Sequence, residues 1–582
     1  MVLRSPILGG SKREKGSSRG SRFLLLGGLL VVSTLGVRDA MASVIYVDDS
    51  ATGANSGQNW TDAYVNLSAA LGTAAAGDEV WVAEGTYLSG GGITLPSGVV
   101  LYGGFAGNES AANQRNWNVH ITTIAGPGFP GNDGSVLIAT GTASGTILDG
   151  FTITDGYPVF APGGGLYVNG GWMTVRHCVF QNNYLGWSYG AGLCATNATL
   201  IVENCIFSGN YSHLGSGGGM ALTGATAATI TDCVFSGNTV VTAGSGGEGQ
   251  GAGIYNESSL PVSVTRCTFD GNIGRPFFVC QNSSQYAYGG GIDSVSSGLT
   301  VRDCVFRNNQ AHYGAGIFAW GNTTIINSVF HHNTATVMCV NDFISAGGEG
   351  AAVGGLTFSP ATINVINCTI AANTGREGVG LITYNAMNAN LRNTIVWGNI
   401  ANGEDIAPID GQIKGNLNSQ YSCIQHLLEP IPGEDPPDPA NYPGCLDTNP
   451  QLVSVATGNL RLAAVSPCID AGKNAFVPVG VVTDLDGAPR FSDVASVPDT
   501  GVGTPPIVDM GAYERPSLLL GDLNCDGVIN MQDVPLFVLA LVDPAAYTTG
   551  QPNCDVLRAD MNSDGLANGR DTQGFITALT GP

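Results

Sequence analysis

Leu200-Ile-Val202-Glu-Asn204-Cys205-Ile-Phe207-Ser-Gly-Asn210 is the phrase that decides the fold, and Gly217-Gly-Gly-Met220 completes it. Its first half returns as Val175…Cys178…Phe180…Asn183, Ile230…Cys233…Phe235…Asn238, Val264…Cys267…Phe269…Asn272 and Val301…Cys304…Phe306…Asn309. It continues as Ile325…Ser328…Phe330…Asn333, Val365…Cys368…Ile370…Asn373 and Leu391…Thr394…Val396…Asn399, with Leu148…Phe151…Ile153 a degenerate first copy. Successive Asn residues lie 27, 28, 34, 37, 24, 40 and 26 positions apart. The second half recurs at Gly163, Gly190, Gly251, Gly289, Gly314 and Gly378, each opening a Gly-x-Gly followed by Leu or Ile. Self-similarity of this kind fixes an architecture before any single element does.

Leucine-rich repeats share the spacing of the first half, so the return path must decide. Here it is Gly-x-Gly plus an aliphatic residue, poor in helix formers. Leu200 and Val202 share one face; after a two-residue corner, Cys205 and Phe207 share the next. Three short strands per coil, each coil stacked about 4.8 Å from the last, make a right-handed parallel β-helix. Its aliphatic, Cys and Phe positions point inward, because a parallel coil buries its interior. The Asn column is expected to hydrogen-bond from coil to coil, as Asn ladders do in cross-β stacks. Corner residues Asn204, Asp232, Asp303, Asn327, Asn367 and Asn393 are types that tolerate left-handed turns.

Composition agrees. The chain has 582 residues, 85 of them Gly, with 43% hydrophobic, 12% charged and a net charge of −23. Disorder would lack the apolar residues, and collagen would need Gly at every third position. Only 4 Lys are present, which leaves little basic surface to grip nucleic acid or anionic lipid.

The Phe-x-x-Asn and Gly-Gly-x-Ile phrases over residues 148–399 resemble the repeats of chlamydial polymorphic outer-membrane proteins and related bacterial pectin-lyase-like β-helix proteins. The resemblance implies the fold and, more weakly, a polysaccharide or surface partner. The autotransporter barrel of the chlamydial proteins has no counterpart here, so their membrane insertion does not carry over. Trp60-Thr-Asp-Ala-Tyr-Val-Asn-Leu-Ser-Ala-Ala-Leu reads as an amphipathic capping helix with Thr61 at its N-cap, since an open solenoid end must be covered. Residues 77–87 and 98–105 read as the first coils. Pro467-Cys-Ile-Asp-Ala-Gly472, Asp484-Leu-Asp-Gly487 and Asp509-Met-Gly-Ala-Tyr-Glu514 resemble the closing segment of such proteins, after a Pro-rich loop at 430–443.

Residues 1–22 carry six basic side chains against Glu14, and a 15-residue apolar run follows from Phe23 to Val37. That run is short for a spanning helix, which needs about 20 residues. Ala40-Met41-Ala42 offers small residues at a signal-peptidase site. Export is expected, with a soluble mature chain from about Ser43, a charge of −28 and no further membrane span.

The tail reads Asp522-Leu-Asn524-Cys-Asp526-Gly-Val528-Ile-Asn530-Met-Gln-Asp533, and again Asp560-Met-Asn562-Ser-Asp564-Gly-Leu566-Ala-Asn568-Gly-Arg-Asp571. Oxygen donors fall at positions 1, 3, 5, 9 and 12, with Gly at 6 and a backbone carbonyl (Val528, Leu566) at 7. That pattern wraps one chain around one Ca²⁺. Short apolar helices are expected at 534–541 and 575–579. Two loop–helix units resemble the type I dockerin module, which implies two Ca²⁺ sites and docking onto a cohesin-like or other surface protein. The expected divisions are therefore 1–42 signal peptide, 43–147 cap and first coils, 148–428 repeats, 429–517 loop and closing segment, and 518–582 dockerin-like module.

Of 14 Cys, Cys178, Cys205, Cys233, Cys267, Cys304 and Cys368 share one inward slot, filled elsewhere by Phe151, Ser328 and Thr394. They read as packing residues. Cys280 with Cys339, and Cys525 with Cys554, are candidate bridges. No familiar polygalacturonase- or pectate-lyase-type motif stands in the repeats. Asp270, Arg307 and His331 occupy one outward slot on consecutive coils, where they could bind or deprotonate a uronic sugar, although a cross-coil ion pair is the plainer account. The loops between Asn and Gly carry aromatic side chains, among them Trp187, Tyr189, Tyr211, Tyr288 and Tyr313, suited to stacking on sugars or to packing over the coil. A secreted or cell-surface protein that binds a polysaccharide or a surface partner is the leading expectation; a polysaccharide lyase or glycoside hydrolase is the alternative.

Overall fold

The computed structural model describes residues 42–128, 134–242, 249–276, 286–296, 298–340, 344–403, 407–430, 435–494, 497–515, 519–526, 528–551, 554–562 and 566–580. The coil dominates. Phe151–Thr154, Val179–Gln181, Ile206–Ser208, Val234–Ser236, Thr268–Asp270, Val305–Arg307 and Val329–His331 pair in parallel and in register. They belong to a 12-stranded sheet. A second face runs through Leu166–Arg176, Leu193–Glu203 and their successors, and a third through Tyr184–Leu185, Tyr211–His213 and Thr239–Thr242. The chain is a parallel β-helix.

Because each phrase repeats, like residues stack. The rings of Phe180, Phe207, Phe235, Phe269, Phe306 and Phe330 lie 4.6–4.9 Å apart and within 5° of parallel. The six slot cysteines are buried free thiols, so they pack rather than bridge. All six named Asx corners have φ between 47° and 55°. His177 and Arg266 adopt the same conformation at the corner of their own coils.

The Asn column forms the ladder that its spacing predicts. Asn183 Nδ2 donates to Asn210 Oδ1 at 3.0 Å, and each later rung to Asn399 repeats the bond at 2.9 Å. Each amide also donates to the carbonyl of the preceding coil, as Asn272 does to Phe235 O at 2.9 Å. Gln412 Oε1 ends the ladder by accepting from Asn399 Nδ2 at 2.9 Å. In the glycine phrase, Gly217 holds φ +75, and a Cβ on Gly219 would sit 2.6 Å from Gly253 O. Each glycine is therefore demanded by its place.

Two expectations change. The N-terminal helix spans only Leu67–Leu71, and Asn66, not Thr61, caps it by accepting from Ala69 N at 2.9 Å. The preceding residues are drawn instead to the first strand, Val44–Val47, where Tyr64 N donates to Tyr46 O at 2.8 Å. Second, the segment after residue 450 does not sit only at the end of the coil. It folds back along the 12-stranded sheet: Ala512 N donates to Thr369 Oγ1 at 3.0 Å, and Asn327 Nδ2 to Thr483 O at 2.8 Å. Leu460, Ala512 and Tyr513 pack on Val329 and Ala371. Strand faces left apolar by Val329 and Ala371 need such a cover.

Near the start of the coil, buried Asp149 pairs with Arg115 at 2.7 Å, Arg176 at 2.6 Å and His177 at 2.9 Å. Burial alone would raise its pKa, but hydrogen bonds and charge from Arg115, with help from His177 and Arg176, hold it below the usual range. A depressed carboxylate contributes stability above its unfolded pKa, about 3.9, and loses it as pH falls through the folded value. Asp149→Asn is expected to cost about 2–3 kcal/mol at neutral pH and to flatten the acid limb. Urea titrations at pH 7 and below pH 4 check both; an unchanged acid limb contradicts the assignment.

Candidate functional site

Each coil leaves its third face through a link that ends just before the left-handed glycine. Residues there pair from coil to coil and form one file along the molecule. Tyr189 bridges to Ser216, Gly217 N donates to Gln250 O at 2.9 Å, and Gln250 pairs with Tyr288. Tyr288 then bridges to Tyr313, Tyr313 to Glu349 and Glu349 to Glu377. At about 4.8 Å per coil the file runs roughly 29 Å.

Its first end is aromatic. Trp187 and Tyr189 are 58% and 42% exposed, and they border a cavity of about 340 Å³ with Ser188, Leu214, Gly215, Ser216 and Gln250. Further along, Tyr288 stacks on Tyr313 at 5.3 Å and packs against Phe318 and Trp320. Tyr211 is not in this file. It stands on the third face, 5.4 Å from Tyr184, which stacks in turn on Tyr157 at 4.4 Å. The five aromatic candidates thus divide between two surfaces, because Tyr211 follows its ladder Asn directly whereas Tyr189, Tyr288 and Tyr313 precede the left-handed glycine and Trp187 stands two residues before Tyr189. Buried His312 accepts from Ala287 N at 2.9 Å and serves packing; Phe277, Phe278 and Phe343 lie outside the described residues.

The other end is charged. Glu349 makes a close ion pair with Arg376, which also reaches Glu377 at 3.4 Å. Lys414 Nζ lies 2.7 Å from Glu377 and 3.7 Å from Asp410. Burial pushes Glu349 up to about 7, with Glu377 adding to the shift and Lys414 opposing it. Glu349 is 5% exposed, so the shift marks a buried carboxyl held against Arg376. Sequence spacing gave no hint of it, because Glu349 follows a hairpin of Val337–Val340 and Ile344–Gly347 that interrupts the repeat.

Asp270, Arg307 and His331 do fall in register on consecutive coils. Arg307 Nε donates to Asp270 Oδ2 at 2.9 Å, an ion pair on a partly exposed face. His331 is 8% exposed, its Nδ1 is 2.8 Å from that of His332, and a Cβ at Gly458 would lie 2.6 Å from its ring. Burial first, then His332 and Arg307, lower its pKa to about 4. The folded-back segment therefore covers the imidazole, and the ion pair is what remains at the surface.

In the tail, the position-12 carboxylates organise their loops. Asp533 Oδ1 accepts from Leu523 N at 2.7 Å and Asn524 N at 3.0 Å, and Oδ2 from Asn530 N at 2.8 Å. Asp571 does the same for Asn562 N at 3.1 Å and Asn568 N at 2.8 Å. Asp526 N donates to Asp522 Oδ1 at 3.2 Å and to Asn524 Oδ1 at 3.0 Å, which curls the first loop around its own oxygens. A donor set of carboxylates, amide oxygens and a carbonyl fits a hard divalent cation. Asp564 lies outside the described residues. Helices Asp533–Val542 and Thr572–Thr580 follow the loops, Phe537 stacks on Phe575 at 3.9 Å, and Cys525 is bonded to Cys554. A third helix, Pro544–Gly550, joins them. The Cys280 and Cys339 side chains lie outside what is described. Among the described residues no helix is long and apolar enough to cross a membrane.

Residues 164–342 match a family model described as a right handed beta helix region. A search of curated proteins finds no match. Among solved structures, the chain is similar to the pectate lyase Pel9A at 14% identity and TM-score 0.37, covering 82% of this chain and 97% of that one. XylC in its complex with xylose gives 8% identity and TM-score 0.35, covering 81% and 98%. An alginate lyase from Paenibacillus gives 14% identity and TM-score 0.25, covering 65% and 99%. With its coils paired in parallel and the repeats matched by that model, the chain is a right-handed parallel β-helix.

Proposed function

We propose that the coil binds a polysaccharide along the file from Tyr189 to Glu377. The carrying observation is the file itself: aromatic, polar and ionic residues aligned at one coil spacing, with Trp187 and Tyr189 exposed beside a cavity. Exposed rings with polar tips suit the apolar faces and hydroxyls of sugars. In this reading residues 1–42 direct export and the Leu67–Leu71 helix closes the first coil. The tail holds two Ca²⁺ ions and docks the protein onto a cohesin-like or other surface protein. The matched right handed beta helix model fits the reading.

A second reading has one observation in its favour. Glu349, with its pKa near 7, stands in the same file beside Glu377, Arg376 and Lys414. Glu349 is 5% exposed and paired with Arg376, so a glycan reaching that end would exchange a proton with it only by displacing that pair.

One experiment addresses both. Affinity electrophoresis against a panel of neutral and acidic polysaccharides should reveal a retarding glycan. Trp187→Ala with Tyr189→Ala should weaken that retardation at least about tenfold, equivalent to about 1.4 kcal/mol. Unchanged retardation removes the groove. New reducing ends or unsaturated uronides, lost in Glu349→Gln, select the enzyme.

A further inference from the structure

We propose that Asp470, Asp493 and Asp499 form a calcium site within the segment folded over the 12-stranded sheet, distinct from the two tail loops. One carboxylate oxygen from each residue lies within 4.8 Å of the others. Among the described residues, no other group of His, Cys, Asp or Glu converges in this way.

The second observation is Asp470 itself. It is fully buried, and neither of its carboxylate oxygens receives a hydrogen bond. The Val494 amide lies near enough to act on it electrostatically but outside hydrogen-bond geometry. A buried carboxylate without donors is costly, and its presence in a folded chain calls for an ion or water to satisfy it. Two more carboxylates facing it make that cost larger.

The surrounding backbone is built to hold the three together. Asp470 takes φ +50, its N–H donates to Asp509 Oδ1 at 2.7 Å, and its carbonyl accepts from Thr500 N at 3.0 Å and Gly501 N at 2.9 Å. Those last bonds fix the chain beside Asp499. The cations of this segment are engaged elsewhere. Arg490 pairs with Glu514 at 3.2 Å, Arg515 with Asp555, and Lys473 lies over the Phe476 ring.

Three carboxylates supply three to six oxygens, and the exposed sides of Asp493 and Asp499 admit the waters that complete a shell of six to eight. Two ligands on an exposed loop suit the flexible geometry of Ca²⁺ better than the strict octahedron of Mg²⁺. The bound ion ties Asp493 and Asp499 to Asp470 and so fastens the segment that covers His331.

The test is calcium stoichiometry by equilibrium dialysis on the full chain, in wild type and in a variant with Asp522→Asn and Asp560→Asn to silence the tail. The tail-silenced chain is expected to hold about one Ca²⁺, which is lost on adding Asp493→Asn and Asp499→Asn. Both added sites are exposed, so an unchanged far-UV spectrum is expected alongside the loss. If the tail-silenced chain binds no calcium, or keeps it after the added substitutions, the proposal is overturned. Wild type binding that vanishes with the tail variant leaves the tail reading standing and removes this site. Wild type binding whose stoichiometry is unchanged in the tail variant, and which vanishes with Asp493→Asn and Asp499→Asn, leaves this site standing and removes the tail reading.

Discussion

Asn272→Ala is expected to destabilise the coil by about 3–5 kcal/mol, and to do so without touching any surface. The side chain is buried, and its Oδ1 accepts from both Asn238 N at 3.1 Å and Asn238 Nδ2 at 2.9 Å. Its Nδ2 donates to Phe235 O and to Asn309 Oδ1 at 2.9 Å each. Alanine therefore leaves polar groups of Asn238, Phe235 and Asn309 unpaired inside the coil, at about 1–3 kcal/mol apiece. Partial relaxation and the small cavity set the net figure within the range given. In a solenoid each coil contacts only its neighbours, so the loss should also split unfolding into segments on either side of coil 272. Urea unfolding followed by tryptophan fluorescence and by hydrogen exchange reads both effects. Ser236→Ala, on the outer face of the preceding coil, serves as the control and should stay within about 0.5 kcal/mol. If Asn272→Ala behaves like that control, the ladder is ornamental.

The same residues explain how far the sequence could be read. The ladder, the Phe stack and the Asx corners were legible because each recurs at one place in every coil and is imposed by local backbone geometry. Whatever depends on contacts between non-repeating parts was hidden. Gly350-Ala-Ala-Val353 is a further copy of the glycine phrase, with left-handed Gly350, but Ala at its third position and the hairpin before it disguise it. The file from Tyr189 to Glu377 changes residue type at nearly every coil, so no spacing announces it. Gln412 ends the Asn ladder from a helix outside the repeat, at Pro408–Gln412. Arg115 finds Asp149 across 34 positions with no periodic signal. Likewise, the covering of His331 by the 458 region follows from a chain reversal that composition does not encode. The slot shared by Asp270, Arg307 and His331 was read correctly as a register; its accessibility was not there to be read.

Calcium removal should act most strongly on the tail. The module's apolar core is small, built on Leu523, Phe537, Ala540, Tyr547, Cys554, Ala559 and Phe575. Domains of that size hold only about 3–5 kcal/mol from their cores. Against that stands a concentration of negative charge, with Asp522, Asp533, Asp560 and Asp571 all buried in or beside the loops. Arg558 reaches Asp522 at 3.1 Å and relieves part of it. The Cys525–Cys554 bridge ties the first loop to the start of the second half, so it limits how far the released chain can spread. At calcium a thousandfold above its Kd, each occupied site adds about 4 kcal/mol to the folded state. Two such sites, if occupied, would together exceed what the core supplies. Chelation is therefore expected to melt helices Asp533–Val542 and Thr572–Thr580 while the coil, stabilised by its own ladder and stacks, stays folded. Hydrogen exchange resolves the two regions in one sample: tail amides should lose protection in chelator and regain it with calcium, and amides around Asn272 should not change. Helices that keep their protection without calcium would show that hydrogen bonds to Asp533 and Asp571 suffice, and the tail would then be a folded module with no need of metal.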